Sequence, residues 1–235
     1  MLFKQYGEET LPAVLFFPAA TLPAALFRPV VRAMRDGGYR VIIPQCTRVI
    51  PDALHLAQEA EEYLRPITGP VSVCGVGYGA SAAVELIGLC PERFDAAILE
   101  RPVFLPQSPN SFPNKHFAWQ QDRAIGRLYR QLAPTEMQEE DFRKAIALPH
   151  ASPAPTSLPL HLADIPAIIY FPSRSGYEKT ALRICQLMKN AFAQPDSRLM
   201  SVAVPDTYVA ELNHLREAGV TFREPSVRMK KEKSK

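Results

Sequence analysis

The sequence predicts an α/β domain: a doubly wound, mostly parallel sheet of about six strands, with helices on both faces and a helical cap insertion. Two observations predict it. Short, nearly continuous apolar runs suit strands buried on both faces of a parallel sheet. They alternate with helix-length segments, an order that right-handed crossovers wind into such a sheet. A chain of 235 residues can give that domain a core that stands without disulfides or metals.

The first apolar run covers residues 13–17. A helix over 24–36 follows, with Leu26, Val30, Val31 and Met34 near helical spacing and Gly37-Gly38 as its stop. The second run is 40–43, and 51–64 repeats the helical unit: Pro51 suits a first turn, Leu54, Leu56, Ala57, Ala60 and Leu64 form an apolar stripe, and Pro66 and Gly69 end it. Runs at 71–74 and 95–99 enclose a helix over 80–89. The alternation then stops, and helices over 117–132 and 134–147 precede a Pro-rich stretch over 149–166. It resumes with a strand at 167–171, a helix over 177–193, a sixth strand at 198–204 and a last helix over 207–218. This order divides the chain into an α/β core over 1–102 and 166–223, a cap insertion over 103–165 and a basic disordered tail over 224–235.

Composition narrows the class. Cys46, Cys74, Cys90 and Cys185 are widely spaced and include no C-x-x-C pair, which points to buried thiols of a reducing, cytoplasmic compartment rather than to zinc or a disulfide framework. No apolar run reaches the roughly 18 residues of a membrane span. The formal charge of +3 is concentrated at one end: Arg228, Lys230, Lys231, Lys233 and Lys235 against Glu232 give the last eight residues +4 and leave the remainder at −1. A nucleic-acid-binding body would carry a basic face within its folded part, so only the tail offers such contact.

The stretch Val71-Ser72-Val73-Cys74-Gly75-Val76-Gly77-Tyr78-Gly79-Ala80-Ser81 runs an apolar strand through a glycine turn into an apolar helix. Two chemistries use such a turn. In the nucleophile elbow G-x-S-x-G, small residues flank a strained serine because strand and helix approach closely, and the helix N-terminus stabilises an oxyanion. In the dinucleotide fingerprint G-x-G-x-x-G/A, matched by Gly75, Gly77 and Ala80, an acidic ribose ligand would stand where Glu100 ends a strand. That fingerprint ordinarily opens its domain, whereas two strands and two helices precede this turn.

The turn, the helix after it and Pro91-Glu92-Arg93-Phe94-Asp95-Ala96-Ala97-Ile98-Leu99 resemble the same region of α/β-hydrolases. The resemblance extends to Val14-Leu15-Phe16-Phe17-Pro18-Ala19-Ala20 and to the whole chain except the insertion and tail. It implies an α/β-hydrolase fold with Gly77 at the nucleophile position, where no side chain can attack a carbonyl. Where the family carries an H-G pair that shapes the oxyanion hole, this chain has Pro18-Ala19, and Pro18 has no N–H to donate. The family's acid usually follows the strand placed at 167–171, but Pro172-Ser173-Arg174-Ser175-Gly176-Tyr177 holds no carboxylate. Its histidine usually follows the last strand, yet Val204 is followed by Pro205-Asp206-Thr207-Tyr208, and His214 lies about two helical turns on.

No replacement stands out. Ser81 falls in the first turn of a helix and should pack. Cys74 ends a buried strand, and His55, His116, His150, His161 and His214 show no metal-binding spacing. The expected function is therefore that of a non-hydrolytic protein: an accessory or regulatory subunit acting on a protein partner, or a binder of a small ligand at a vestigial site formed by Pro18, Ala19, Gly77, Tyr78, Gly79, Ser175, Asp206 and Tyr208. No catalytic residue, metal or cofactor is expected. The alternatives are a hydrolase or thioesterase with non-standard catalytic residues and a dinucleotide-binding protein using Gly75, Gly77 and Ala80.

Overall fold

The continuous apolar runs become central strands because both of their faces are covered. In a computed structural model, which describes residues 2–19, 27–45, 53–102, 164–173, 176–196, 198 and 200–218, these are β2 (Ala13–Phe17), β3 (Arg40–Gln45), β4 (Val71–Val76), β5 (Phe94–Glu100) and β6 (Ala167–Phe171). Apart from the last two residues of the insertion, the expected cap and the basic tail lie outside the described residues, as does Ser175. Two outer strands, β1 (Leu2–Tyr6) and β7 (Ala191–Pro195), complete a seven-stranded sheet in the order β1-β3-β2-β4-β5-β6-β7. Every neighbouring pair is parallel except β1 with β3.

Helices cover both faces. On one side α1 (Arg28–Asp36), the single turn α5 (Met200–Ala203) and α6 (Pro205–Ala218) pack on Val14, Phe16, Val41, Cys74 and Ile98. On the other, α2 (Ala53–Leu64), α3 (Tyr78–Leu89) and α4 (Gly176–Leu187) pack on Leu15, Phe17, Val73 and Leu99. Alternate residues of each strand thus feed two separate cores. Among the described residues no helix is long and apolar enough to cross a membrane.

Three expectations change. β1, absent from the sequence reading, is antiparallel and mostly exposed, so it lacks the apolar run that marks a strand buried on both faces. The helix expected over 177–193 ends at Leu187, and its last residues instead form β7, an edge strand whose exposed faces and terminal Pro195 suit a ladder with one free side. The run at 198–204 is not a strand. Its apolar residues serve α5, where Met200 and Ser201 are buried over the sheet.

A polar network fastens α6 to the start of β5. Asp95 accepts from the Ser72 hydroxyl at 2.6 Å and from Arg216 Nε at 2.9 Å, and the Arg216 guanidinium lies 5.3 Å from the Tyr39 ring centroid. Removing the carboxylate leaves both donors without their partner in a half-buried setting. Asp95→Ala is expected to cost about 2 kcal/mol, read as a lower denaturant midpoint. Arg216→Ala should lose less in the Asp95→Ala background than alone, because the two share one interaction.

Candidate functional site

Topology selects one crevice. From β2 the chain passes through α1 to β3 on one side, and from β3 through α2 to β4 on the other side of β2. The neighbouring strands β2 and β4 therefore send the chain to opposite faces, and ligands of doubly wound sheets bind outside the carboxyl ends of such strands. Pro18-Ala19 leaves β2 here, and Gly77 leaves β4.

Gly77 is the N-cap of α3 and holds φ 57°, ψ −119°, a conformation that side chains adopt only under strain. Three hydrogen bonds fix it. Its N–H donates to the Glu100 main-chain oxygen at 2.7 Å, and its carbonyl accepts from the N–H groups of Ala80 at 3.0 Å and Ser81 at 3.2 Å. Among the described residues, a Cβ built on Gly77 would meet only the Ala19 Cβ, at 3.7 Å. Gly79 differs: its Cβ would stand 2.5 Å from the Phe17 carbonyl oxygen and closer still to that of Pro18. The glycine after the turn is thus required by the approach of β2 to α3, while the space above Gly77 would admit a side chain. A strained residue at a sharp turn from a central strand into a helix is the backbone arrangement that a nucleophile elbow requires.

Glu100, the last residue of β5, meets Gly77 through its main-chain oxygen, and it is 0% exposed. Oε1 accepts from the Ser201 N–H at 3.1 Å, and the Ser201 hydroxyl approaches without closing a hydrogen bond of ordinary geometry. Oε2 is buried and has no donor among the described residues. Burial pushes this carboxyl up to about 7, against the opposing pull of the Ser201 contacts, the Met200 N–H and the charge of Arg101. Tyr170 of β6 and Tyr208 of α6 are buried near it in the core on the α5 and α6 face, and burial pushes both phenols up. The Tyr208 hydroxyl lies beside the Cys74 thiol, which burial pushes up to about 12, so Cys74 is no thiolate nucleophile at neutral pH.

The expected site residues separate into two groups. Pro18, Ala19, Gly77 and Gly79 meet at the crevice. Tyr78 is buried in the core on the α3 side and Tyr208 in the core on the α6 side, so the two lie on opposite faces of the sheet rather than together beside the turn. Asp206 is exposed in the first turn of α6. Ser81 is buried in α3, as a packing residue should be. The segment after the last strand now begins at Asp196, whose carboxylate pairs with Arg198 at 2.9 Å, and it brings no histidine among the described residues. His55 is half exposed on α2 and His214 exposed on α6. Among the described residues no group of three or more His, Cys, Asp or Glu side chains forms a metal site.

The sequence offers Glu100 as a ribose ligand for the dinucleotide reading, and the fold buries its side chain. The signal that finds it is a charge closing an apolar strand, since a buried carboxylate needs a partner or a purpose.

No protein-family model matches the chain, and no curated protein does. Solved structures do. A thioesterase domain from the curacin biosynthetic pathway is similar over 90% of this chain and 94% of its own, with 13% identity and a TM-score of 0.62. The enol-lactonase from Burkholderia xenovorans LB400 is similar over 91% and 95%, with 12% identity and a TM-score of 0.64. A carboxylesterase from Bacillus subtilis is similar over 91% and 86%, with 13% identity and a TM-score of 0.61. The chain has the α/β-hydrolase fold. The expectation of a non-hydrolytic protein acting through interactions is overturned by these likenesses, because the structures that share its architecture are a thioesterase, a lactonase and an esterase. The altered triad positions had pointed away from chemistry; the shared architecture favours the hydrolase alternative.

Proposed function

We propose that this chain, an α/β-hydrolase by fold, cleaves carboxylic esters or thioesters through non-standard residues, with water in the place of a side-chain nucleophile at position 77. The observation that carries this reading is the Gly77 backbone, held at φ 57°, ψ −119° at the head of α3, where among the described residues a Cβ would meet only Ala19, in ordinary contact. A water seated in that space occupies the room of an attacking hydroxyl. The N-terminus of α3 lies against the acyl oxygen, where its dipole favours the negative charge of a tetrahedral intermediate. Pro18 contributes no N–H, so one oxyanion donor of the fold is missing.

Without a covalent route, the contributions left are binding and electrostatic stabilisation. Those alone sustain roughly 10³- to 10⁴-fold acceleration over water in serine hydrolases stripped of their triads. An acceleration of that order is expected for the purified chain on a panel of short acyl p-nitrophenyl esters and acyl thioesters. Rates equal to the buffer blank for the whole panel would overturn the proposal. A cytoplasmic setting belongs to the same reading and is supported by the free thiols Cys74, Cys90 and Cys185.

A further inference from the structure

Four buried side-chain oxygens have no hydrogen-bond partner among the described residues: Glu100 Oε2 and the hydroxyls of Ser201, Tyr170 and Tyr208. All four residues are at most 1% exposed. We infer that they form one internal hydration site, in which ordered water joins the ends of β5 and β6 to α5 and α6. The site is separate from the crevice at Gly77 and stands whether or not that crevice hydrolyses esters.

The fold gathers the four groups. Glu100 and Tyr170 are register partners on the neighbouring strands β5 and β6, so their side chains leave the same face of the sheet side by side. Ser201 is brought to them by its own N–H, which donates to Glu100 Oε1 at 3.1 Å. Tyr208 reaches in from α6, where the charges of Glu100 and Tyr170 act on its phenol. Two contacts come near to pairing these groups, the Ser201 hydroxyl with the carboxyl and the Tyr208 hydroxyl with the Cys74 thiol, but neither closes a hydrogen bond of ordinary geometry.

A polar group taken out of water without a partner destabilises the fold, and four such groups in one place would burden a dry core heavily. Their chemistry selects what answers them. Each of the three hydroxyls carries a proton with no acceptor, while the carboxyl adds an oxygen with no donor. Water donates and accepts, so it serves both kinds at once. An anion would meet the carboxyl group, and a cation would leave the hydroxyl protons without acceptors. An internal water makes about three hydrogen bonds, so roughly one or two molecules satisfy the set. Several groups then share each molecule, and the hydroxyls of β6 and α6 are coupled through it.

The test is the melting temperature of the wild type, Tyr170→Phe, Tyr208→Phe and the double variant, measured at a single pH below the Glu100 transition. Each single variant should melt about 2–4 °C lower, as expected when a bridging water loses a partner in a chain of this size. The double variant should lose less than the two together, because both hydroxyls bind the same water. In a dry core the sign reverses: deleting an unpaired hydroxyl leaves the melting temperature unchanged or raises it, and that result would overturn the site. Losses that add in full would overturn the sharing of water between the two tyrosines. Should a variant fail to fold, a crystal structure of the wild type decides. Water within about 3.2 Å of both Glu100 Oε2 and the Tyr170 hydroxyl is expected. Oxygens bonded directly to one another, or a metal ion among them, would contradict it.

Discussion

Gly79→Ala is expected to lower the stability of the chain by about 3 kcal/mol, the upper part of the range for overpacking a core, and to bring the melting temperature down by roughly 6–12 °C for a chain of this size. The added methyl group would stand 2.5 Å from the Phe17 carbonyl oxygen and nearer still to that of Pro18. Both obstacles are backbone at the end of β2, a central strand bonded to β3 and β4. Neither can step aside as a flexible side chain would, so the helix must move. Gly77→Ala is the control. Among the described residues its Cβ meets only Ala19, at 3.7 Å, so its cost is backbone strain, about 1–3 kcal/mol. Thermal and denaturant unfolding of both variants measure the contrast, and a Gly79→Ala protein as stable as the wild type would refute the close approach of β2 to α3.

The second large effect is on stability against pH. In the folded chain the Glu100 carboxyl is raised from its ordinary 4.5 to about 7 by burial, so the folded state holds its proton where the unfolded state has released it. Below 4.5 both states are protonated and the group has no effect. Between 4.5 and about 7 stability falls as pH rises, and above that the loss levels off near roughly 3 kcal/mol, the equivalent of the pKa difference. Glu100→Gln keeps an acceptor for the Ser201 N–H and cannot ionise. It should match the wild type near pH 4 and exceed it by up to roughly 3 kcal/mol at pH 8. Urea unfolding of the two proteins across that range isolates the group, because every other titration is common to both. Parallel curves would mean that Glu100 is not buried as described.

The same carboxylate shows what a sequence conceals. β2, β4, β5 and β6 announce themselves as apolar runs because both of their faces are covered, and the G-V-G-Y-G turn between β4 and α3 marks the centre of the site without any structure. β1 and β7 are different. As outer strands they bury little, so Leu2–Tyr6 passes for a polar terminus and Ala191–Pro195 for the end of a helix. Placing the last strand too late then moves the search for a catalytic histidine to the wrong loop. Glu100 carries the opposite lesson: its position at the end of an apolar run is legible, but its neighbours Ser201, Tyr170 and Tyr208 come from three later elements that only folding brings to it. The altered triad positions are legible in the sequence, whereas the strained backbone at Gly77 and the likeness of the whole fold to a thioesterase, a lactonase and an esterase are not.

That backbone makes the central claim directly testable by the intact mass of the protein during turnover of a short acyl ester, sampled by rapid acid quench. Attack by water over Gly77 predicts product release while the mass of the chain stays that of the free protein at every time point. A population heavier by one acyl group, formed and consumed at the rate of turnover, would show a side-chain nucleophile at work and contradict the account.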